Sequence, residues 1–71
     1  MQFTHEQYNA LEGAIIRQQR IAIVRRGAEL VLIPRRLRTD GGREVLEATH
    51  PTTGDALAVP LDDLQRFEVL R

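Results

Sequence analysis

From Ile21 onward the chain breaks into five short apolar runs separated by turn residues, and that punctuation leaves room for little except a small antiparallel β fold. Ile21-Ala22-Ile23-Val24 and Leu30-Val31-Leu32-Ile33 flank Arg26-Gly27 so closely that a hairpin is the natural connection. Pro34 has no N–H to give to a ladder, so the second strand is expected to end there, bulge, or lie at an edge. Thr39-Asp40-Gly41-Gly42 reads as the next turn, because aspartate and glycine accept positive φ. Arg43 to Thr49 makes a third strand, and His50-Pro51-Thr52-Thr53-Gly54-Asp55 another turn. Ala56-Leu57-Ala58-Val59 is a fourth strand stopped by Pro60. Leu61-Asp62-Asp63-Leu64 suits a single 3-10 turn, and Phe67-Glu68-Val69-Leu70 closes as a fifth strand.

The residues before Ile21 carry a helix-start signal. Thr4 can cap, Gln7 completes a capping box, and Phe3 with Tyr8 occupies the hydrophobic-staple positions. Tyr8, Leu11 and Ile15 then share one narrow stripe of a helix over about residues 5–18. Gly13 weakens that helix, and its stripe needs a partner surface.

One helix followed by five short strands, with a tight turn before the last, is the order of a mainly β domain. The expectation is a five-stranded SH3-like or Sm-like barrel over about residues 20–70, with the N-terminal helix covering one opening or face, in a single domain spanning 1–71. Curling hides the edges of so small a sheet. The expected core is Tyr8, Leu11, Ile15, Ile21, Ile23, Leu30, Leu32, Val45, Ala48, Leu57, Val59, Leu61, Leu64, Phe67 and Val69.

At 71 residues such a core gives only a few kcal/mol of net stability, and no cysteine is present to staple it. The lack of cysteine suits a reducing compartment. Met1-Gln2-Phe3-Thr4-His5 lacks the charged and apolar regions of a leader, and no apolar run approaches the ~20 residues that span a bilayer. A cytoplasmic location without membrane contact is therefore expected.

Charge is segregated along the chain although the formal net charge is zero. Residues 25–43 hold Arg25, Arg26, Arg35, Arg36, Arg38 and Arg43 against only Glu29 and Asp40. Residues 44–71 hold six carboxylates against Arg66 and Arg71. All ten basic residues are arginine, a bias that GC-rich coding produces on its own. The arginine fork nonetheless suits bidentate binding of phosphate or carboxylate.

Two candidate surfaces follow. If the barrel closes as expected, several of these arginines converge on one rim and form a phosphate-tracking face whose binding falls steeply with salt. The competing reading is a solvated face on which arginines pair with Glu44, Glu47 and Asp55 across strands. The base-stacking aromatics of single-strand binders are missing, since Phe3, Tyr8 and Phe67 are better used as staple and core. The second surface is the acidic group Asp55, Asp62, Asp63 and Glu68, which fits a protein partner better than a metal because no Asp-x-Asp-x-Asp-Gly spacing and no nearby histidine accompany it. His5 and His50 alone do not make a zinc site. Gly41-Gly42 leads into a strand and not a helix, so it is no phosphate loop. The threonines and histidines assemble no nucleophile–base pair, and neither a cofactor nor a catalytic role is expected.

With the elements placed, several motifs resemble the WYL domain, a bacterial module with an Sm-like, SH3-type barrel. Leu11 to Ile16 stands as its helix, Ile21-Ala22-Ile23-Val24 as its first strand, and Ile33-Pro34-Arg35-Arg36-Leu37 as its proline-containing segment. Gly42-Arg43-Glu44-Val45-Leu46-Glu47-Ala48 resembles the strand that carries Trp-Tyr-Leu, His50 to Gly54 the following turn, and Leu61-Asp62-Asp63-Leu64 with Phe67 to Leu70 the closure. Glu44, Val45, Leu57 and Asp63 depart from the family at positions associated with ligand sensing. The chain is also similar to the Rho-binding antiterminator family, Rof, through Gln7-Tyr8-Asn9-Ala10-Leu11-Glu12-Gly13-Ala14 and Leu61-Asp62-Asp63-Leu64-Gln65-Arg66-Phe67. Members of that family present an acidic face to the RNA-binding site of Rho.

These resemblances imply a transcription-related binding module. The leading expectation is nucleic-acid contact through the arginine face. The alternatives are a protein-interaction module, acting through the Asp62–Asp63 turn or by sheet-edge pairing, and a self-assembling oligomer held by opposite charge.

Overall fold

The computed structural model describes residues 3–71 as one helix and one five-stranded antiparallel sheet: α1 (His5–Arg17), β1 (Ile21–Arg25), β2 (Ala28–Asp40), β3 (Arg43–Thr49), β4 (Ala56–Pro60), a 3-10 turn (Leu61–Asp63) and β5 (Leu64–Val69). Met1 and Gln2, used above in the leader argument, lie outside the described residues. Among those residues no helix is long and apolar enough to cross a membrane.

The expected capping box opens α1. The Gln7 N–H donates to Thr4 Oγ1 at 3.2 Å, and the Thr4 N–H donates to Gln7 Oε1 at 2.9 Å. The staple forms as well, with the Phe3 and Tyr8 rings 5.4 Å apart. Phe3 also sits 5.5 Å from Phe67, so the same aromatic ties the helix start to β5. The helix stops where Gln18 turns left-handed, at φ 54 and ψ 40.

Two tight hairpins set the register. Arg25 pairs with Ala28 around Arg26-Gly27, and Asp40 pairs with Arg43 around Gly41-Gly42. All four loop residues have positive φ, between 52 and 81, as the primed turns that match strand twist require. The second turn is thus Gly41-Gly42 alone, with Thr39 and Asp40 still in β2.

The largest departure from expectation is the length of β2, which does not end at Pro34. Thirteen residues at ~3.3 Å each would reach about 40 Å, yet the longest dimension of the molecule is 30 Å. The strand therefore bends, and the ladder shows where: its register shifts between Pro34 and Arg36, leaving Arg35 as a bulge. β2 pairs with β1 from Ala28 to Leu32 and with β3 from Ile33 onward, across the bulge. His50 N–H donates to the Asp55 carbonyl, so alternation makes Ala48–Leu57 a hydrogen-bonded pair of β3 and β4. Ala48 then offers nothing to β2, and the nitrogen of its opposite partner Pro34 faces the flank where β1 has ended. Of the three outcomes expected at this proline, the bulge is the one realised.

The strand order is β4-β3-β2-β1-β5. No ladder joins β4 to β5, so the sheet stays open, and of the closed or partly open barrel expected the closed form is not realised by hydrogen bonding. The sheet instead curls around one core. Leu11 and Ala14 of α1 meet Ile21, Ile23, Leu32, Leu46, Ala48, Val59, Leu61 and Leu64, all essentially buried. Tyr8, Ile15, Leu30, Leu57, Phe67 and Val69, expected in the core, are half-buried at its margin. Leu46 and Ala14 were not expected there. Leu46 belongs because it shares the inner face of β3 with Ala48, and Val45, expected in the core, is buried as well, on the opposite face of the strand.

β5 begins at Leu64, three residues earlier than expected, because Leu64 already pairs with Arg25. A second bulge falls at Gln65, whose Oε1 accepts the Gly27 N–H at 2.8 Å. A side chain from β5 thereby fastens the tip of the first hairpin.

Candidate functional site

The bulge decides how the arginine segment is displayed. Past it, Leu37 turns to the core, while Arg36 and Arg38 stand opposite Glu47 and Val45 on the outer face. Arg36 Nε donates to Glu47 Oε1 at 2.8 Å, and Arg38 Nε lies 2.6 Å from Glu47 Oε2. Arg38 Nη1 also donates to Asp40 Oδ2 at 3.1 Å. Arg43, at the start of β3, reaches Asp62 Oδ2 at 3.5 Å and Asp63 Oδ1 at 3.8 Å. Arg35, the bulged residue, donates through Nε to Thr49 Oγ1 at 3.3 Å and has no carboxylate partner among the described residues.

Four of the six candidate arginines therefore gather on one face, and two do not. Arg25 and Arg26 lie at the first hairpin, at the other end of β2 from Arg38 and Arg43. The expectation of several arginines on one rim thus has its counterpart in Arg35, Arg36, Arg38 and Arg43, and the first hairpin stands apart from them. The gathered arginines are also largely neutralised. Glu47 serves two of them, and Asp62 with Asp63 serves a third. The anticipated partners Glu44 and Asp55 do not pair with these arginines among the described residues: Glu44, exposed near the start of β3, accepts the Tyr8 hydroxyl at 2.5 Å instead.

The acidic group is likewise divided. Asp62 and Asp63 flank Arg43, Asp55 sits in the exposed β3–β4 turn, and Glu68 lies on β5 opposite Ala22. The strong segregation of charge along the chain becomes a mixed surface in space.

Charge pairing leaves its mark on titration. The hydrogen bond from Arg36, with Arg38 adding to it and desolvation opposing, holds the Glu47 carboxyl below its usual 4.5. Asp40 and then Glu47 raise Arg38 above its already high value. The Glu44 hydrogen bond, with desolvation and the Glu44 and Asp62 charges, raises the Tyr8 phenol above 10.0.

The feature least visible in the sequence is the free edge of β4. With His50–Asp55 and Ala48–Leu57 hydrogen-bonded, Thr49–Ala56 and Glu47–Ala58 are the pairs that exchange no backbone bonds. Ala56 and Ala58 hence point their N–H and C=O groups away from β3, along the rim of the sheet. Both are exposed, and their methyl groups lie on the outer face. Such small side chains leave a shallow groove of about 340 Å³ bordered by Arg35, Glu47, Thr49, Ala56 and Ala58. A signal existed in the uncharged run Ala56-Leu57-Ala58-Val59-Pro60, but it takes the strand order to show that this run is an edge.

Comparison with protein-family models and with curated proteins gave no match to this sequence.

Proposed function

We propose that this chain is a non-enzymatic protein-interaction module that adds an extended segment of a partner protein to the free edge of β4, in the reducing cytoplasm that its lack of cysteine suits. The observation that carries this reading is the pair of outward-facing backbone groups at Ala56 and Ala58 on a strand without a charged residue. Natural sheets blunt their edges with charge, proline or a bulge. At the opposite edge β5 has the Gln65 bulge and the charges of Arg66 and Glu68. β4 has only its terminal Pro60.

Support for nucleic-acid contact is correspondingly weaker. A phosphate backbone binds by displacing its counterions with a surplus of positive charge, and here Arg36, Arg38 and Arg43 already have carboxylates. Phe3, Tyr8 and Phe67 pack on one another and offer no free stacking platform. The likeness to Rof agrees with a protein partner, because that family acts on a protein.

The test is selection from a randomised peptide display library, read against an Ala58→Pro variant. The nitrogen of residue 58 faces outward, so proline there removes an edge donor without removing a bond to β3. Wild-type protein should select peptides that protect the Ala56 and Ala58 amides from hydrogen exchange, and the folded variant should not bind them. Salt-sensitive binding of single-stranded RNA by wild type, with no peptide selected, would overturn the proposal.

A further inference from the structure

We infer that the segment added to β4 carries a carboxylate side chain on the outer face of the sheet, received by Arg35. This rests on the edge-docking reading above and names the chemistry of its partner.

The bulge makes Arg35 different from its neighbours. It is an extra residue, so it has no cross-strand partner of its own, whereas Arg36 stands squarely opposite Glu47. Its side chain runs over β3 to Thr49 and ends at the wall of the groove beside Ala56 and Ala58. The acid lining that groove, Glu47, is engaged by Arg36 and Arg38. A guanidinium with no carboxylate partner among the described residues therefore borders a shallow channel floored by alanines, and the channel opens at the edge where a new strand would pair.

The spacing fits a long acidic side chain. Strands lie about 4.8 Å apart, which places an added strand about 14 Å from β2, with β3 and β4 between them. Arg35 spans the row of β3, and a glutamate on the added strand spans the row of β4, because only methyl groups stand in its way there. The two ends meet above the groove, and a charge-assisted, bidentate pair is the expected contact. An added lysine in the same place would instead face Arg35 with like charge.

The experiment uses the peptides of the display selection, resynthesised with each outward-facing glutamate or aspartate changed to its amide or to lysine. Wild-type protein should enrich acidic residues at alternate positions, bind the amide peptide at least about tenfold more weakly, and reject the lysine peptide. Arg35→Glu should reverse that order, preferring the lysine peptide, with thermal melting reporting that the variant folds. Peptides that need the edge, being lost with Ala58→Pro, yet show no acidic preference and bind Arg35→Glu equally well, would overturn this inference and leave edge docking intact. Peptides indifferent to Ala58→Pro would overturn edge docking itself. A concentration-dependent mass abolished by Ala58→Pro, without peptide selection, would show the edge taken by a second copy and would also overturn the inference.

Discussion

Arg43, the first residue of β3, lies 3.5 Å from Asp62 and 3.8 Å from Asp63, so the last arginine of the basic segment holds both carboxylates of the 3-10 turn. The pair joins two segments of opposite charge that are well separated in sequence. It also fixes how little that join contributes. Arg43 and Asp62 keep 54% and 75% of their side-chain exposure, and pairs so solvated are worth about 0–1 kcal/mol. Arg43→Ala is expected to lower the urea midpoint by an amount within that range, and the shift should shrink in high salt.

Glu47 is the more consequential acid, because it neutralises both Arg36 and Arg38. Glu47→Gln is expected to leave a surplus of positive charge on the outer face and to create salt-sensitive binding of single-stranded RNA that wild type lacks at physiological salt. Fluorescence anisotropy at low and physiological salt would show it. The same substitution alters acid stability in a defined direction. The folded carboxyl titrates below its usual 4.5, so its contribution is present above that value and is lost as the pH falls through the depressed one. Wild type should lose stability more steeply than Glu47→Gln below about pH 4.5.

Tyr8 fastens α1 to β3 through its bond to Glu44. Tyr8→Phe keeps the aromatic contact with Phe3 and removes that bond, for an expected loss of about 1 kcal/mol. The folded phenol titrates above 10.0, so the bond stabilises fully below that value and its contribution disappears as the pH rises through the folded one. Melting curves should separate the two proteins at neutral pH and bring them together in strong alkali.

Leu46 reaches the centre of the core from β3 with no exposed surface. Leu46→Ala is expected to cost about 2–5 kcal/mol, a large part of what a domain of this size possesses. Denaturant unfolding would measure it, and Val45→Ala, which trims a smaller side chain buried on the opposite face outside that cluster, should cost less.

What the sequence determined by itself were the features whose causes lie within a few residues. Thr4 and Gln7 cap α1 through each other, and Phe3 reaches Tyr8 across one turn. Positive φ at Gly27, Gly41 and Gly42 makes two primed hairpins, and Pro60 ends β4 because it cannot pair onward. Five strands in order, one helix and most of the core were therefore legible.

Tertiary structure alone decided the rest, because the deciding contacts join residues far apart in sequence. β5 pairs with β1 and not with β4, which leaves the sheet open and turns Ala56–Pro60 into an edge. Pro34 is carried within a long strand because β1 ends before it, and the resulting bulge sends Arg35 across β3 while Arg36 and Arg38 settle on Glu47. Charges segregated along the chain intermix in space for the same reason: antiparallel pairing lays the acidic strand β3 directly on the basic end of β2. A run of arginines states how much charge a segment carries, but only the register of the neighbouring strand states how much of it remains free.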